Sequence, residues 1–291
     1  MSRGKDKSRK SGAKGPGGSQ QATNADRASG GGETALRRAW EQIWPLAVAV
    51  VIALGIRAVI IESYYVPSGS MLSTLLIGDH VFVSKFAFGA RIPFSEIQLP
   101  AVREPRRGDI AVFALGRRGP LEICPLDECR GDYPAEGFVK RLVALPGDTV
   151  EYRGGLLRLN GEPVPTRDTG RTFTDGEGRE YRVIREDIAG CVHEVLDDPR
   201  RPPRDTEPFT IPEGRYYFLG DNRDNSNDSR IWGTVRRQDL KGPVLINYWS
   251  WNNRESWAAM LNPLTWIRLL WGEMRWDRIG LTYDCWNDPV D

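Results

Sequence analysis

Histidine is scarce in this chain of 291 residues, which holds only His80 and His193. His80 sits in an apolar, strand-like segment and His193 in a weakly patterned one, and neither stands in a motif with a matching acid. That argues against a Ser-His-Asp triad. Cysteine is scarce too, with four residues at 124, 129, 191 and 285. Net charge is almost lacking: +1 overall gives no field to draw the chain to nucleic acid. Large apolar side chains are rare before Trp40. That stretch carries Arg3, Lys5, Lys7, Arg9, Lys10, Lys14, Arg27, Arg37 and Arg38 among Gly, Ser, Gln and Ala. It cannot bury enough surface to offset its ordering entropy, so residues 1–39 are expected to form a disordered basic tail.

One long apolar run is present, Pro45 to Ile61 (PLAVAVVIALGIRAVII). As a helix it would reach roughly 25 Å, near the short limit for crossing a bilayer. Its single charge, Arg57, lies near one end and can snorkel. Trp40 and Trp44 at one end and Tyr64 and Tyr65 at the other are expected as interfacial anchors. A buried core helix is the alternative. A cleaved leader fits less well, because the basic segment is long and no small-x-small site follows. The expectation is a single-pass membrane helix over 40–61, a cytoplasmic N-terminus, and residues 62–291 outside the inner membrane. In such a compartment CPLDEC (124–129) reads as a small disulfide loop more naturally than as a zinc half-site, since no second CxxC accompanies it. Cys191 and Cys285 stay undecided.

Glycine (31) and proline (20) suit a protein of strands and turns. Short apolar alternations recur at 79–86, 108–115, 137–145, 149–164, 214–221 and 242–251, rich in Val, Ile, Phe and Tyr and bounded by Gly, Pro, Asp or Asn. They predict a mainly β, antiparallel domain. Arg153-Gly154-Gly155 reads as a hairpin turn. Residues 165–213 are polar with weak periodicity and are expected to form an irregular insertion or smaller lobe. Over 257–274, Trp257, Leu261, Leu264, Ile267, Trp271 and Met274 fall at helical spacing. They predict a helix that packs on the β body or rests on the membrane surface.

Three segments carry candidate chemistry. Val66-Pro67-Ser68-Gly69-Ser70-Met71 follows the apolar run, Gly137-Phe138-Val139-Lys140-Arg141 sets a lysine on an apolar strand, and Gly220-Asp221-Asn222-Arg223-Asp224-Asn225-Ser226-Asn227-Asp228-Ser229-Arg230 is a polar loop. The last lacks the sixth-position glycine and closing glutamate of an EF-hand. A serine hydroxyl needs a base within reach. A lysine can serve only when neutral, and at a reference pKa of about 10.4 roughly one in 2,500 is neutral at pH 7. Lowering that by ~3 units costs roughly 4 kcal/mol, which burial beside Phe138, Val139 and Leu142 could supply.

In this order and behind an apolar anchor, PSGSM…VKR…LPGD…GDNRDNSxDSR resembles the bacterial type I signal peptidase family. The likeness covers about Ile61 to Gly242 and RWDRIG at 275–280. It implies a membrane-bound serine endopeptidase that removes signal peptides from exported preproteins after small residues, as part of the general secretion pathway, with no cofactor or metal. It further implies Ser70 as nucleophile, Lys140 as general base, and Ser68 with the Ser70 N–H as oxyanion donors. Ser226 would orient the lysine, and Arg141, Asp228 and Arg230 would support the site. Met71 and Phe82 are expected to line the apolar substrate pockets. Ser73 stands where the family usually has proline, which bears on the stiffness of the loop. Two other readings remain: a self-cleaving Ser–Lys protease of the repressor type, which would be soluble, and an inactive membrane-anchored binding module.

Overall fold

The structure, a computed structural model, describes residues 26–89, 99–117, 122–129, 135–251, 262 and 272–283. Helix α1 spans Asp26–Val59 and contains Pro45. It starts before residue 40, inside the stretch expected to be a disordered tail. Trp40 and Trp44 stack at 5.8 Å, and Trp40, Ile43, Leu46, Val51 and Leu54 are exposed. Among the described residues no helix is long and apolar enough to cross a membrane.

From Ile61 onward the chain is built of strands, as the alternating segments predict. In order they are β1 (Ile61–Tyr65), β2 (Asp79–Ser84), β3 (Ile110–Arg117), β4 (Ile123–Cys124) and β5 (Glu136–Ala144). Then come β6 (Thr149–Arg153), β7 (Leu156–Leu159), β8 (Glu162–Pro163), β9 (Thr166–Thr174) and β10 (Glu180–Ile188). The last are β11 (Cys191–Asp197), β12 (Phe209–Thr210), β13 (Arg215–Leu219), β14 (Val235–Arg236) and β15 (Leu240–Ser250). The eight-stranded sheet runs β1-β2-β15-β3-β5-β13-β14, with β4 beside β3, and every pairing is antiparallel.

The continuous apolar run of β3 has a simple cause. Ala111, Phe113 and Leu115 enter one core cluster and Ile110 and Val112 another, so both faces of the strand are buried. Gly154 and Gly155 form the two-residue β6–β7 turn, both at positive φ, as this hairpin geometry requires.

Residues 165–213 are more regular than the polar sequence suggests. β9, β10 and β11 form their own three-stranded antiparallel sheet, a lobe spanning Thr166–Asp197. The periodicity is hidden because β10 turns a carboxylate, Glu186, inward and carries a register shift between Arg182 and Ile184. Tyr65 is half exposed, and Tyr64 packs partly against the core cluster that holds Val66 and Val81. Cys124 and Cys129 are disulfide-bonded, and Cys191 is also in a disulfide. The helix expected over 257–274 lies almost wholly outside the described residues, as does Cys285.

Candidate active site

Ser70 sits in a single 3₁₀ turn, Gly69–Met71, entered from β1 through extended Ser68. Lys140 projects from β5 next to the point where the strand changes partners. Residues 136–141 pair with β3, and β13 joins only from Arg141 onward. The lysine side chain is buried, donates to Ser70 Oγ, and donates to its neighbour's Val139 carbonyl at 3.2 Å. Burial lowers its pKa from 10.5 to about 8; the charges of Asp228 and Asp221 oppose the shift without cancelling it. Ser68 Oγ lies 3.4 Å from Ser70 Oγ. Neither histidine replaces the lysine. His80 sits among Tyr65, Tyr248 and Trp251, and His193 pairs with Glu186 at 3.3 Å.

The loop after β13 fixes the turn from the other flank. Asn222 N–H donates to the Ser70 carbonyl at 3.1 Å and its side-chain amide to the Gly69 carbonyl at 3.0 Å. A Cβ at Gly220 would overlap both the Ser70 carbonyl and the Ser226 hydroxyl, so only glycine fits. Asp221 accepts two hydrogen bonds from Arg141, at 2.8 and 2.7 Å, and one from Thr74 at 2.5 Å. Burial alone would raise its pKa, but the Arg141 charge and hydrogen bonds hold it below the usual carboxylate range. Arg230 grips Asp228 with two bonds of 2.8 Å, and Asp228 accepts the Gly220 N–H at 3.1 Å. Asp228 also caps the short helix α2 (Ser229–Trp232). Ser226 is buried here, but its hydroxyl makes no hydrogen bond of good geometry and none joins it to Lys140 among the described residues.

Ser68, Ser70, Lys140 and the 220–230 loop are thus assembled, whereas Met71 and Phe82 are not at the cavity. Met71 is wholly buried with Leu75, Val83 and Ile110. Phe82 lies on the other face of β2 from Val81 and stacks on Tyr248 at 4.1 Å. The cavity that Lys140 lines, about 200 Å³, takes its apolar wall from Tyr64, Val66, Val81, Val112, Phe138 and Val139. The alternation of β2 and β5 was the signal that could have named Val81 and Phe138. Asn222 and Thr74 were missed because they act through backbone carbonyls and a carboxylate that only the fold brings near.

Ser73 adopts φ 77°, and its hydroxyl donates to the Glu194 carbonyl of β11 at 3.0 Å. A proline ring, fixed near −65°, cannot take that backbone.

A family profile described as "Signal peptidase, peptidase S26" matches residues 39–249. A protein named Signal peptidase I from Pseudomonas aeruginosa is 37% identical over 66% of this chain and 63% of its own length, so the aligned part falls just short of two thirds of that relative. Another Signal peptidase I, from Pseudomonas fluorescens, is 33% identical over 69% of each chain. The crystal structure of a signal peptidase I from Enterococcus faecalis V583 is 28% identical, covering 49% of this chain and 98% of that one, with a TM-score of 0.29.

Proposed function

The chain belongs to the signal peptidase family, peptidase S26, and on that premise we propose that it is a type I signal peptidase, a serine endopeptidase that removes signal peptides from preproteins. The observation that carries the reading is the buried lysine bonded to a serine hydroxyl, with its pKa lowered to about 8.

In this reading neutral Lys140 takes the Ser70 proton as Oγ attacks the carbonyl before the cut. The oxyanion is met by the Ser68 hydroxyl and the Ser70 N–H. The lysine, now an ammonium, gives its proton to the departing amine, so the mature chain leaves and an ester remains on Ser70. Lys140 then deprotonates a water that hydrolyses the ester and releases the signal peptide. Arg141, Asn222, Asp228 and Arg230 hold the two reacting side chains in register. Ser226 is the hydroxyl available to steady Lys140 once the lysine moves off Ser70.

Substrate fit supports the same reading. β1 is the last strand of its sheet, and residues 136–140 of β5 have no strand partner on the side away from β3 among the described residues. Both line the 200 Å³ cavity. An extended peptide adding to such an edge would turn alternate side chains into a small apolar space, which suits small residues at the first and third positions before the cut.

Residues 40–61 serve as the membrane anchor in this account, with the basic N-terminal segment cytoplasmic and the β domain outside the bacterial inner membrane. The exposed apolar side chains of α1 and the Cys124–Cys129 disulfide support that placement. The test is to incubate detergent-solubilised protein with a preprotein bearing an Ala-x-Ala site. Cleavage at that site is expected, abolished in folded Ser70→Ala and in folded Lys140→Ala. Either variant keeping a near-normal rate would remove that residue from the mechanism.

A further inference from the structure

We infer that a second cavity beside the nucleophile turn receives the first residues of the mature chain, those that follow the cut; the inference rests on the signal peptidase reading above. The cavity measures about 730 Å³, within the range of sites that enclose a drug-sized ligand. One wall is the nucleophile segment, through Ser68, Gly69, Leu72 and Ile77. Another is the tip of the β9–β10 hairpin, residues 173–177 with Arg179, and Trp251 adds an aromatic surface.

The two cavities adjoin along one segment, since Tyr65, Pro67 and Ser68 line both. Lys140 lines only the smaller and Gly69 only the larger. A peptide cut at Ser70 therefore has its two halves on different sides of the segment that carries the Ser68 hydroxyl. The half that stays esterified to Ser70 must remain beside Lys140, because the lysine activates the water that frees it. That assigns the signal side to the smaller cavity, where small side chains fit.

The amine half leaves by the larger one. Residues after the cut obey no small-residue rule, so their site has to be roomy and chemically mixed. The larger cavity is both: Leu72, Ile77 and Phe173 offer apolar surface, and the hairpin tip offers charge. Arg179 pairs with Asp175 at 2.8 Å and with Glu177 at 3.2 Å, so the tip keeps only a single net negative charge. The site then selects an extended polypeptide by shape more than by the sign of its charge. The lobe that bears the hairpin becomes the wall that guides the mature chain away from the ester.

Two substrates with the same signal-side sequence test this in the full-length, detergent-solubilised protein. One is a preprotein. The other is a peptide methyl ester that ends at the scissile carbonyl and so has nothing for the larger cavity to hold. Thr174 is exposed on the hairpin wall, and Thr174→Trp would fill the space. The ratio of preprotein to ester kcat/KM is expected to fall about tenfold or more in Thr174→Trp. Leu156→Trp, an exposed position on the β6–β7 hairpin, should leave the ratio unchanged. If Thr174→Trp does not fold, Glu177→Trp is read the same way. A wild-type protein that cuts both substrates, with a folded Thr174→Trp whose ratio is unaltered, would overturn the assignment alone. A wild-type protein that cuts neither would overturn the signal peptidase reading and this assignment with it.

Discussion

In the eight-stranded body, Val112, Phe113, Leu115 and Leu142 are buried in apolar clusters with no charge among them. In the three-stranded lobe, Tyr181, Val183 and Leu196 are buried too, but beside them lie Glu186 and His193. Arg223, reaching in from the active-site loop, grips both oxygens of Glu186. The lobe touches that loop again where Leu196 N–H donates to the Asp221 carbonyl at 2.8 Å, and it holds the nucleophile segment through Ser73 and Glu194. The body therefore positions Ser70 and Lys140, and the lobe, fastened by an apolar cluster with Leu72 and by these polar groups, steadies the two loops that meet there. Packing of the first kind is insensitive to pH and that of the second is not.

The largest effect should come from removing the lobe's carboxylate. Glu186→Ala strands a buried guanidinium, a change that typically costs about 3–5 kcal/mol. Amide exchange in β9–β11 should accelerate far more than in β3 and β5. Leu142→Ala, a cavity in the body at about 2–5 kcal/mol, should give the opposite pattern. Acid sharpens the contrast. Burial alone would raise the Glu186 pKa, but Arg223 and His193 hold it well below the usual carboxylate range. The unfolded chain therefore binds more protons as pH falls below about 4.3, and stability present above that value is lost. The Leu142→Ala penalty should stay constant over the same range. Equal acid sensitivity of the Glu186→Ala and Leu142→Ala penalties would break the comparison.

Next in size is a change confined to the body. Ser68→Ala should lower kcat about 10²–10³-fold, the usual effect of losing one oxyanion donor, and leave exchange in the lobe untouched. Ser68→Thr should keep more activity, and equal losses in the two variants would deny the hydroxyl its role. Smaller still is Ser73, where body meets lobe. Ser73→Pro cannot keep φ 77° and should lower kcat, although proline is common at this position in the family. Ser73→Gly keeps the backbone and loses only the hydrogen bond to Glu194, so it should be milder. A fully active Ser73→Pro would show that the left-handed turn is dispensable.

The same contrast explains what the sequence made legible. Strands of the body announce themselves because their side chains alternate between core and solvent or, like β3, are apolar on both faces. The lobe was obscure because its inward positions include Glu186 and His193, whose burial makes sense only once Arg223 is known to lie opposite. At the site, Ser70 and Lys140 were legible as candidates, a serine in a Pro/Gly turn and a lysine on an apolar strand, and their expected roles came from the family resemblance. Asn222 was not, since it holds two carbonyls of a turn about 150 residues earlier in the chain. Phe82 and Val81 differ by one residue along β2, and one residue decides which face of the strand a side chain takes.

The most direct measurement is the pH dependence of kcat/KM for preprotein cleavage. In the proposed mechanism Lys140 must be neutral to take the Ser70 proton, and burial brings its pKa down to about 8. Activity should therefore rise tenfold per pH unit below that value and level off above it, and the limb should vanish in Lys140→Ala. A limb centred near pH 6.5, where histidine titrates, or one that survives in Lys140→Ala, would show that another group is the base.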